Sequence, residues 1–343
     1  MRDVAQAANL SVAAVSRFLN RNLVLPAETA ARIEAAVSSL GYQPNPHARR
    51  LSRGKADMIG LIVPDIANPF FASLADAAER AAAEEGIDLV LCATRNRPER
   101  ELREVSRLGH LADGILFVTN HCDDGTLAAA IGAAGPVVLL DEDVDAVVAP
   151  KVFADNREGG ALAARCLLAA GHRRLALLGG PRGLLSTEER RAGFRDTVRE
   201  AGPGARIVFE SFGEYLASEG RLAANRMLAA PDRATAVFAT SDETALGALQ
   251  AARDRGVSVP EDLSVVAFDD VAPLALLSPA VTAVRQPVAA IGRRGVRLLL
   301  DCVRGAPVPA EPLRLPVTLV ERASVSTPIR ARPRRAAASM GEA

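Results

Sequence analysis

Short apolar segments alternate with alanine-rich amphipathic segments over most of this chain of 343 residues. Amphipathic helical spacing occurs between most of the apolar segments, for example at 71–85, 159–170 and 243–255. Unbroken hydrophobic strands that alternate with helices are typical of parallel sheets covered on both faces. The segments exceed one sheet of ordinary size, so we predict two α/β lobes. The predicted strands are 59–63, 89–92, 114–118, 136–140, 175–178, 207–209, 236–239 and 265–268.

The first 40 residues have a different pattern, which predicts three short helices at 1–8, 11–20 and 27–40. Asn9 tolerates the left-handed conformation that a tight turn requires, and Ser11 is a favourable N-cap for the second helix. Two short helices joined by a tight turn form a helix-turn-helix, whose second helix can enter the major groove of DNA. A plain three-helix packing unit has the same spacing and remains an alternative at this point.

The second predicted helix presents Val12, Ala13, Ser16 and Arg17 on its outward side. Arg17 can form a bidentate pair with guanine, whereas Val12 and Ala13 can only contact thymine methyl groups or exclude bulk. The sequence therefore offers one base-reading side chain and two apolar contacts on this helix.

The net charge of zero conceals an uneven distribution along the chain. Residues 1–55 carry eight basic and three acidic groups, and the tail from 326 to 343 carries four basic groups and one acidic group. The body from 57 to 325 has a net charge of −8. A basic end on an acidic body favours one module for a polyanion and another for a different ligand.

Several classes of protein are disfavoured by the sequence. No apolar run reaches the roughly 18 residues of a membrane-spanning helix, and the N-terminus lacks a secretory h-region, so we expect a cytoplasmic protein without a membrane partner. The four cysteines form no CxxC pair, and no histidine pairs with an activated serine or cysteine. There is no Walker motif and no GxGxxG. We therefore expect no metal, no cofactor and no enzymatic activity.

Three segments in sequence order carry a family resemblance: DVAQAANLSVAAVSRFLN, LGYQPNPHARRLSRG and IGLIVPDIANPFF. The chain resembles the lac-repressor (LacI/GalR) family of bacterial transcription regulators from Asp3 to about Ser324. The resemblance implies a small all-α helix-turn-helix head plus an α/β two-lobed periplasmic-binding-protein-like core with parallel sheets covered by helices. It also implies operator DNA, a small-molecule effector and a second copy of the chain as partners. The DNA contacts that it implies in the head are Ser11, Val12, Ala13, Ser16, Arg17 and Asn20.

The segment 45–52 resembles the hinge helix of the family, which folds against operator DNA and inserts a leucine into the minor groove. Leu51 occupies that position, with Ala48 and Arg49 beside it. An apolar wedge partly unstacks a base step and kinks the duplex, while neighbouring arginines contact phosphates. The hinge is therefore expected to contribute Ala48, Arg49 and Leu51 to DNA binding.

The resemblance also implies where the domains divide. The expected lobe 1 combines about 57–155 with 287–315, and the expected lobe 2 combines about 156–286 with 316–325. Together they form the effector-binding and dimerisation core, 57–325. The other expected parts are a head at 1–44, a hinge at 45–56 and a disordered basic tail at 326–343.

Ligands of doubly wound sheets bind beyond the carboxyl ends of the strands, and a two-lobed core places both sets of ends at one cleft. The residues there that also match effector positions of the family are Phe70, Phe71, Asp141, Arg190, Tyr215, Asp242 and Asp269. Carboxylates, one arginine and aromatic rings suit a polyhydroxylated ligand such as a sugar. Phe70 and Phe71 can equally belong to the core, and Asp242 and Asp269 can cap helices.

Glu142 departs from the family pattern, since sugar-type relatives often carry arginine at this position, and it makes the cleft more acidic. Ala14 removes a hydroxyl that commonly contacts phosphate, and Pro26 replaces a common serine. A solute-binding protein would share the core, but it would need an export signal and would have no basic head. We therefore predict a ligand-responsive transcriptional regulator, most consistent with a repressor.

Overall fold

The computed structural model describes residues 1–19, 23–42, 57–307, 309 and 311–328. The chain divides between Asp57 and Met58 into two compact units. Within the described residues, the first unit contains three helices, and the second contains nine helices and twelve strands. The predicted DNA contacts that lie outside the described residues are Asn20, Ala48, Arg49 and Leu51.

The first unit is a packed three-helix head of α1 (Arg2–Ala7), α2 (Val12–Leu19) and α3 (Ala27–Ser39). Asn9, at φ 51°, makes the predicted left-handed turn between α1 and α2. The Ser11 hydroxyl accepts a hydrogen bond from the Ala14 N–H at 3.1 Å and caps the start of α2. The three helices close over one small apolar core, formed by Val4, Ala5, Ala8, Val15, Ile33 and Ala36.

The first sheet of the second unit has six strands in the order β11-β5-β4-β3-β1-β2, and every pairing is parallel. Its helices pack on the two faces, and we call this layered body lobe 1. The strands are β1 (Met58–Val63), β2 (Asp88–Ala93), β3 (Ile115–Phe117), β4 (Val137–Leu140), β5 (Lys151–Ala154) and β11 (Leu313–Leu315). The helices are α4 (Pro69–Glu84), α5 (Pro98–Leu111), α6 (Thr126–Ala133) and α12 (Val288–Val303).

The second sheet forms lobe 2 and has the strand order β12-β10-β9-β8-β6-β7. Its pairings are parallel except for β12, which runs antiparallel to β10. The strands are β6 (Arg174–Leu178), β7 (Arg206–Ser211), β8 (Ala236–Ala239), β9 (Ser264–Asp269), β10 (Thr282–Arg285) and β12 (Thr318–Val320). The helices are α7 (Asn156–Ala169), α8 (Leu185–Glu200), α9 (Ala217–Ala229), α10 (Asp242–Asp254) and α11 (Ala272–Leu276).

The predicted fold class is confirmed, and each of the eight predicted strands overlaps a strand of these sheets. Sequence analysis missed β5, β10, β11 and β12, which have only three or four residues each. Such short segments carry too few residues for a period to be recognised. The chain passes between the sheets after β5, after β10 and after β11.

Glycines set the close approach of α7 and α8 in lobe 2. A Cβ atom on Gly193 would lie 1.8 Å from the Arg157 carbonyl oxygen, and one on Gly160 would lie 2.0 Å from the Arg190 carbonyl oxygen. Larger residues at these two positions would push the helices apart. This contact fixes the position of α8 and therefore of the side chains that it carries.

The core extends beyond residue 325, where sequence analysis placed the start of a disordered tail. The Ser326 N–H donates to the Ser264 hydroxyl at 3.0 Å, and the Ser326 carbonyl lies 2.9 Å from His172 Nε2. His172 is 1% exposed, so the segment at Ser326 is held against lobe 2 by a buried side chain. In the part of the chain that the structure describes, no helix combines the length and apolarity needed to cross a membrane.

Candidate functional site

Strand ends from both lobes meet around Arg190 of α8, whose side chain is almost completely buried. Its Nε donates to Asn156 Oδ1 at 2.8 Å, and one terminal nitrogen donates to the Thr240 carbonyl at 2.7 Å. That nitrogen lies 3.8 Å from Asp269 Oδ1, and the guanidinium lies 3.8 Å from the centre of the Phe268 ring. Arg190 is therefore held by fixed polar partners on one side and an aromatic face on another.

Two carboxylates flank this arginine at the ends of strands from opposite lobes. Asp141 follows β4 in lobe 1, Asp269 ends β9 in lobe 2, and both have left-handed backbones, at φ 65° and 86°. Burial raises the pKa of Asp141 to about 6; Arg190 opposes this shift and Asp269 adds to it. Burial lowers the pKa of Arg190, but Tyr215 and the surrounding carboxylates outweigh it and raise the pKa. The arginine therefore stays charged in this acidic setting.

Gln286, where the chain leaves β10 for α12, contacts Asp269 and Asp141. We call Arg190, Asp141, Asp269 and Gln286 the cluster. Nε2 of Gln286 donates to Asp269 Oδ1 at 2.7 Å. Gln286 Oε1 and Asp141 Oδ1 are buried and have no hydrogen-bond partner among the described residues. Buried oxygens without a partner are costly, so a ligand with hydroxyl or amine donors would be favourable at this position.

Tyr215 closes the lobe 2 side of the cluster. Its hydroxyl lies 2.8 Å from Thr187 Oγ1 and 3.4 Å from Ser186 Oγ, at the start of α8. Its ring centre lies 5.9 Å from the Arg190 guanidinium, and burial raises the pKa of its hydroxyl. A Cβ atom on Gly180 would lie 2.2 Å from this ring, so glycine at 180 provides the space for it.

Asp242 lies near the cluster, but one of its oxygens is already engaged. Oδ2 accepts from the Val271 N–H at 3.1 Å, and this bond ties the start of α10 to the loop after β9. Burial, together with Asp269, raises the pKa of Asp242 to about 9. Its Oδ1 has no partner among the described residues. Asp242 therefore supports the loop that follows Asp269, and its role in ligand binding stays a prediction.

Phe70 and Phe71 begin α4 in lobe 1, where the Asn68 side chain caps the helix through the Phe70 N–H at 2.9 Å. The two rings meet edge to face, with 5.2 Å between their centres. Phe70 lines a cavity of about 730 Å³ between the lobes, together with Asp269 and Gln286. Phe71 is not among the lining residues and is buried in lobe 1. Arg190, Asp141 and Tyr215 do not line this cavity, so the roles of Phe70 and Phe71 in ligand binding stay predictions.

Glu142, the residue after Asp141, reaches from lobe 1 to the first turn of α8. Its carboxylate accepts from the Leu185 N–H at 2.8 Å and from the Ser186 hydroxyl at 2.5 Å. Burial raises its pKa to about 7, although the Ser186 hydrogen bond opposes that shift. Sequence analysis recognised Glu142 only as an unusual residue. Sequence analysis also missed three residues of the site, Asn156, Thr240 and Gln286. Each belongs to the site through contacts across the two lobes or between distant strands.

In the head, the structure places Val12, Ala13 and Arg17 on the exposed face of α2. Val12 is 44% exposed although it is apolar. Ser16 is half-buried, and the Ser11 hydroxyl is used for capping. Among the described residues, Arg17 makes no ion pair or side-chain hydrogen bond. Within the described part of the head, this face of α2 therefore presents apolar side chains together with the guanidinium of Arg17.

The two units match two family models. Residues 1–45 match the model of bacterial regulatory proteins of the lacI family, and residues 164–325 match a periplasmic binding protein-like domain. The ribose operon repressor of Bacillus subtilis strain 168 is 33% identical over 324 residues, which cover 94% of this chain and 97% of that protein. The chain belongs to the lacI family of bacterial regulatory proteins. It is therefore a ligand-responsive, DNA-binding transcriptional regulator, and the relatives give no support to a solute-binding role.

Solved structures of family members agree with this assignment. The lac repressor dimer bound to operator and the anti-inducer ONPF superposes with a TM-score of 0.81 at 28% identity, covering 94% of this chain and 98% of that chain. The transcriptional regulator CelR in complex with cellobiose superposes with a TM-score of 0.72 at 30% identity, with the same coverage. The family and the two-lobed core predicted from the sequence are thus confirmed.

Proposed function

We propose that this lacI-family protein is a dimeric, cytoplasmic repressor that binds a pseudo-palindromic operator and changes its affinity when a sugar or related metabolite binds between the lobes. The observation that carries the proposal is the pairing of two features in one chain. A helix-turn-helix head exposes Arg17, and a core gathers Arg190, Asp141 and Asp269 from two lobes. The relatives named above include a repressor of a ribose operon and a repressor dimer on its operator.

On operator DNA, the proposed role of Arg17 is a bidentate pair with guanine, with Val12 and Ala13 against thymine methyl groups. Ser11, Ser16 and Asn20 contact phosphates in this proposal. Ala48, Arg49 and Leu51 form the hinge contacts, with Leu51 as the minor-groove wedge. Two heads in a symmetric dimer read half-sites about one helical turn apart.

The proposed effector site is the cleft around Arg190. Arg190 donates to ligand oxygens, the carboxylates of Asp141 and Asp269 accept from hydroxyls, and Phe70 and Tyr215 cover apolar ring faces. The unpartnered oxygens of Asp141 and Gln286 support a ligand rich in donors. The proposal includes no cofactor, no metal and no catalysis.

The DNA part is tested by selecting operators from a randomised duplex pool and measuring affinity over a salt series. Affinity should fall steeply with salt, because phosphate contacts release counterions, and it should be lost when residues 1–55 are deleted. Leu51→Ala should weaken specific binding far more than nonspecific binding. Equal losses would exclude the wedge role, and a full chain that selects no sequence would refute the DNA proposal.

The effector part is tested by a thermal-shift screen of sugars, followed by calorimetry on each hit. Asp269→Asn has the same shape but lacks the charge next to Arg190, so it should lose most of the binding. Glu210→Gln is the matched control, because Glu210 pairs with Arg191 and Arg195 on the outer side of α8. Equal affinity in wild type and Asp269→Asn would place the effector elsewhere.

A further inference from the structure

Helix α8 has no side-chain cap of its own, and the missing cap comes from the other lobe. Leu184 at its N-cap position offers no hydrogen-bonding side chain. The carboxylate of Glu142 takes that place: Oε1 accepts from the Leu185 N–H at 2.8 Å, and the Ser186 N–H lies 3.3 Å from Oε2. The Ser186 hydroxyl donates to Oε2 at 2.5 Å. A carboxylate at a helix N-terminus satisfies N–H groups that the helix cannot pair internally.

The contact between Glu142 and α8 joins two lobes that must separate for a ligand to reach Arg190. Arg190 is 3% exposed and Glu142 is also 3% exposed, so neither is accessible while the lobes are in contact. A second contact crosses at Arg314 and Glu189, with two hydrogen bonds of 2.8 and 2.6 Å, but it is partly exposed to solvent. Ion pairs exposed to water contribute little, whereas a buried carboxylate with several donors contributes more.

We propose that Glu142 is an interlobe cap, a side chain of lobe 1 that closes the effector-free cleft by capping α8 of lobe 2. The cap is a property of the core and is independent of which effector binds. The effect of this cap on effector binding and DNA binding rests on the proposed function.

Substitutions at Glu142 separate the cap from its charge. Glu142→Ala removes every hydrogen bond to α8, whereas Glu142→Gln keeps an acceptor oxygen and carries no charge at any pH. Glu101→Gln is the matched control, because Glu101 is also buried but, among the described residues, its carboxylate accepts a hydrogen bond only from Thr119 inside lobe 1. The full-length protein without DNA or sugar is used throughout.

Two measurements are needed. Hydrogen exchange of the Leu185 and Ser186 amides should be about tenfold faster in Glu142→Ala than in wild type. In Glu142→Gln the remaining oxygen should still protect the Leu185 amide, whereas the Ser186 amide loses the acceptor Oε2 and should exchange faster than in wild type. Small-angle scattering should give a larger radius of gyration for Glu142→Ala. The radius of Glu101→Gln should equal that of wild type.

The proposal is overturned if Glu142→Ala exchanges like wild type. Faster exchange with an unchanged radius would show a local helix cap that does not hold the lobes, which also overturns it. A larger radius in Glu101→Gln would show that loss of another buried carboxylate opens the core as well, and it would refute a specific role of Glu142. None of these outcomes bears on operator or sugar binding, which the experiments of the previous section test separately.

Discussion

Replacing Arg190 by alanine should destabilise the core strongly as well as remove the effector response. The substitution leaves Asn156 Oδ1 and the Thr240 carbonyl without their donor and Asp269 without its cation. Asn156 and Thr240 are 1% and 0% exposed, so water does not replace the lost bonds while the cleft stays closed. Removing one partner of a buried charged pair costs about 3–5 kcal/mol. We expect a loss of that size in the free energy of unfolding.

The assay is urea unfolding of the full chain, with Arg199→Ala as the control. Arg199 lies on the same helix, and its side chain is 75% exposed in an i, i+3 pair with Asp196, so its loss should cost about 0.5 kcal/mol or less. Below the unfolding transition, Arg190→Ala should bind operator nearly as wild type and should not respond to effector. A destabilisation equal to that of Arg199→Ala would refute the buried network, and a normal effector response would remove Arg190 from the site.

Two further predictions concern stability. Gly193→Ala places a Cβ atom 1.8 Å from the Arg157 carbonyl oxygen and should destabilise the protein by about 1–3 kcal/mol. Gly132→Ala, in a helix with open space around it, should stabilise the protein by about 0.5–1 kcal/mol. Thermal unfolding compares the two variants, and similar effects would refute the close contact between α7 and α8. Burial lowers the pKa of His172, so its neutral form is favoured in the fold, and its stabilisation is lost as the pH falls below about 6.5. His172→Gln should remove that contribution from the difference in unfolding free energy between pH 8 and pH 5, and an unchanged difference would contradict it.

Local periodicity was sufficient to predict the strands that form the centre of each sheet. β1, β3 and β4 are buried apolar runs, and central parallel strands need no polar face. The edge strand β11 has two exposed residues among three, so its membership depends on pairing with β5 rather than on its own composition. Such strands could not be predicted from the sequence, because long-range pairing decides them.

The residues of the candidate site differ in the same way in whether the sequence predicts them. Asp141 and Asp269 could be predicted because they end strands that were themselves recognisable, and the structure places both beside Arg190. Gln286 could not be predicted in this way, because it follows β10, which was not recognised. The contact of Glu142 with α8 was equally inaccessible, because it joins residues 43 and 44 positions apart that belong to different lobes.

The most direct test of the central claim is the operator affinity of the full chain with and without a saturating sugar effector, together with the sugar affinity with and without operator. The account predicts that each ligand changes the affinity of the other by the same factor, about 5- to 150-fold, because coupling between two sites is reciprocal. Operator binding that is specific but unchanged by any sugar that binds the core would contradict it.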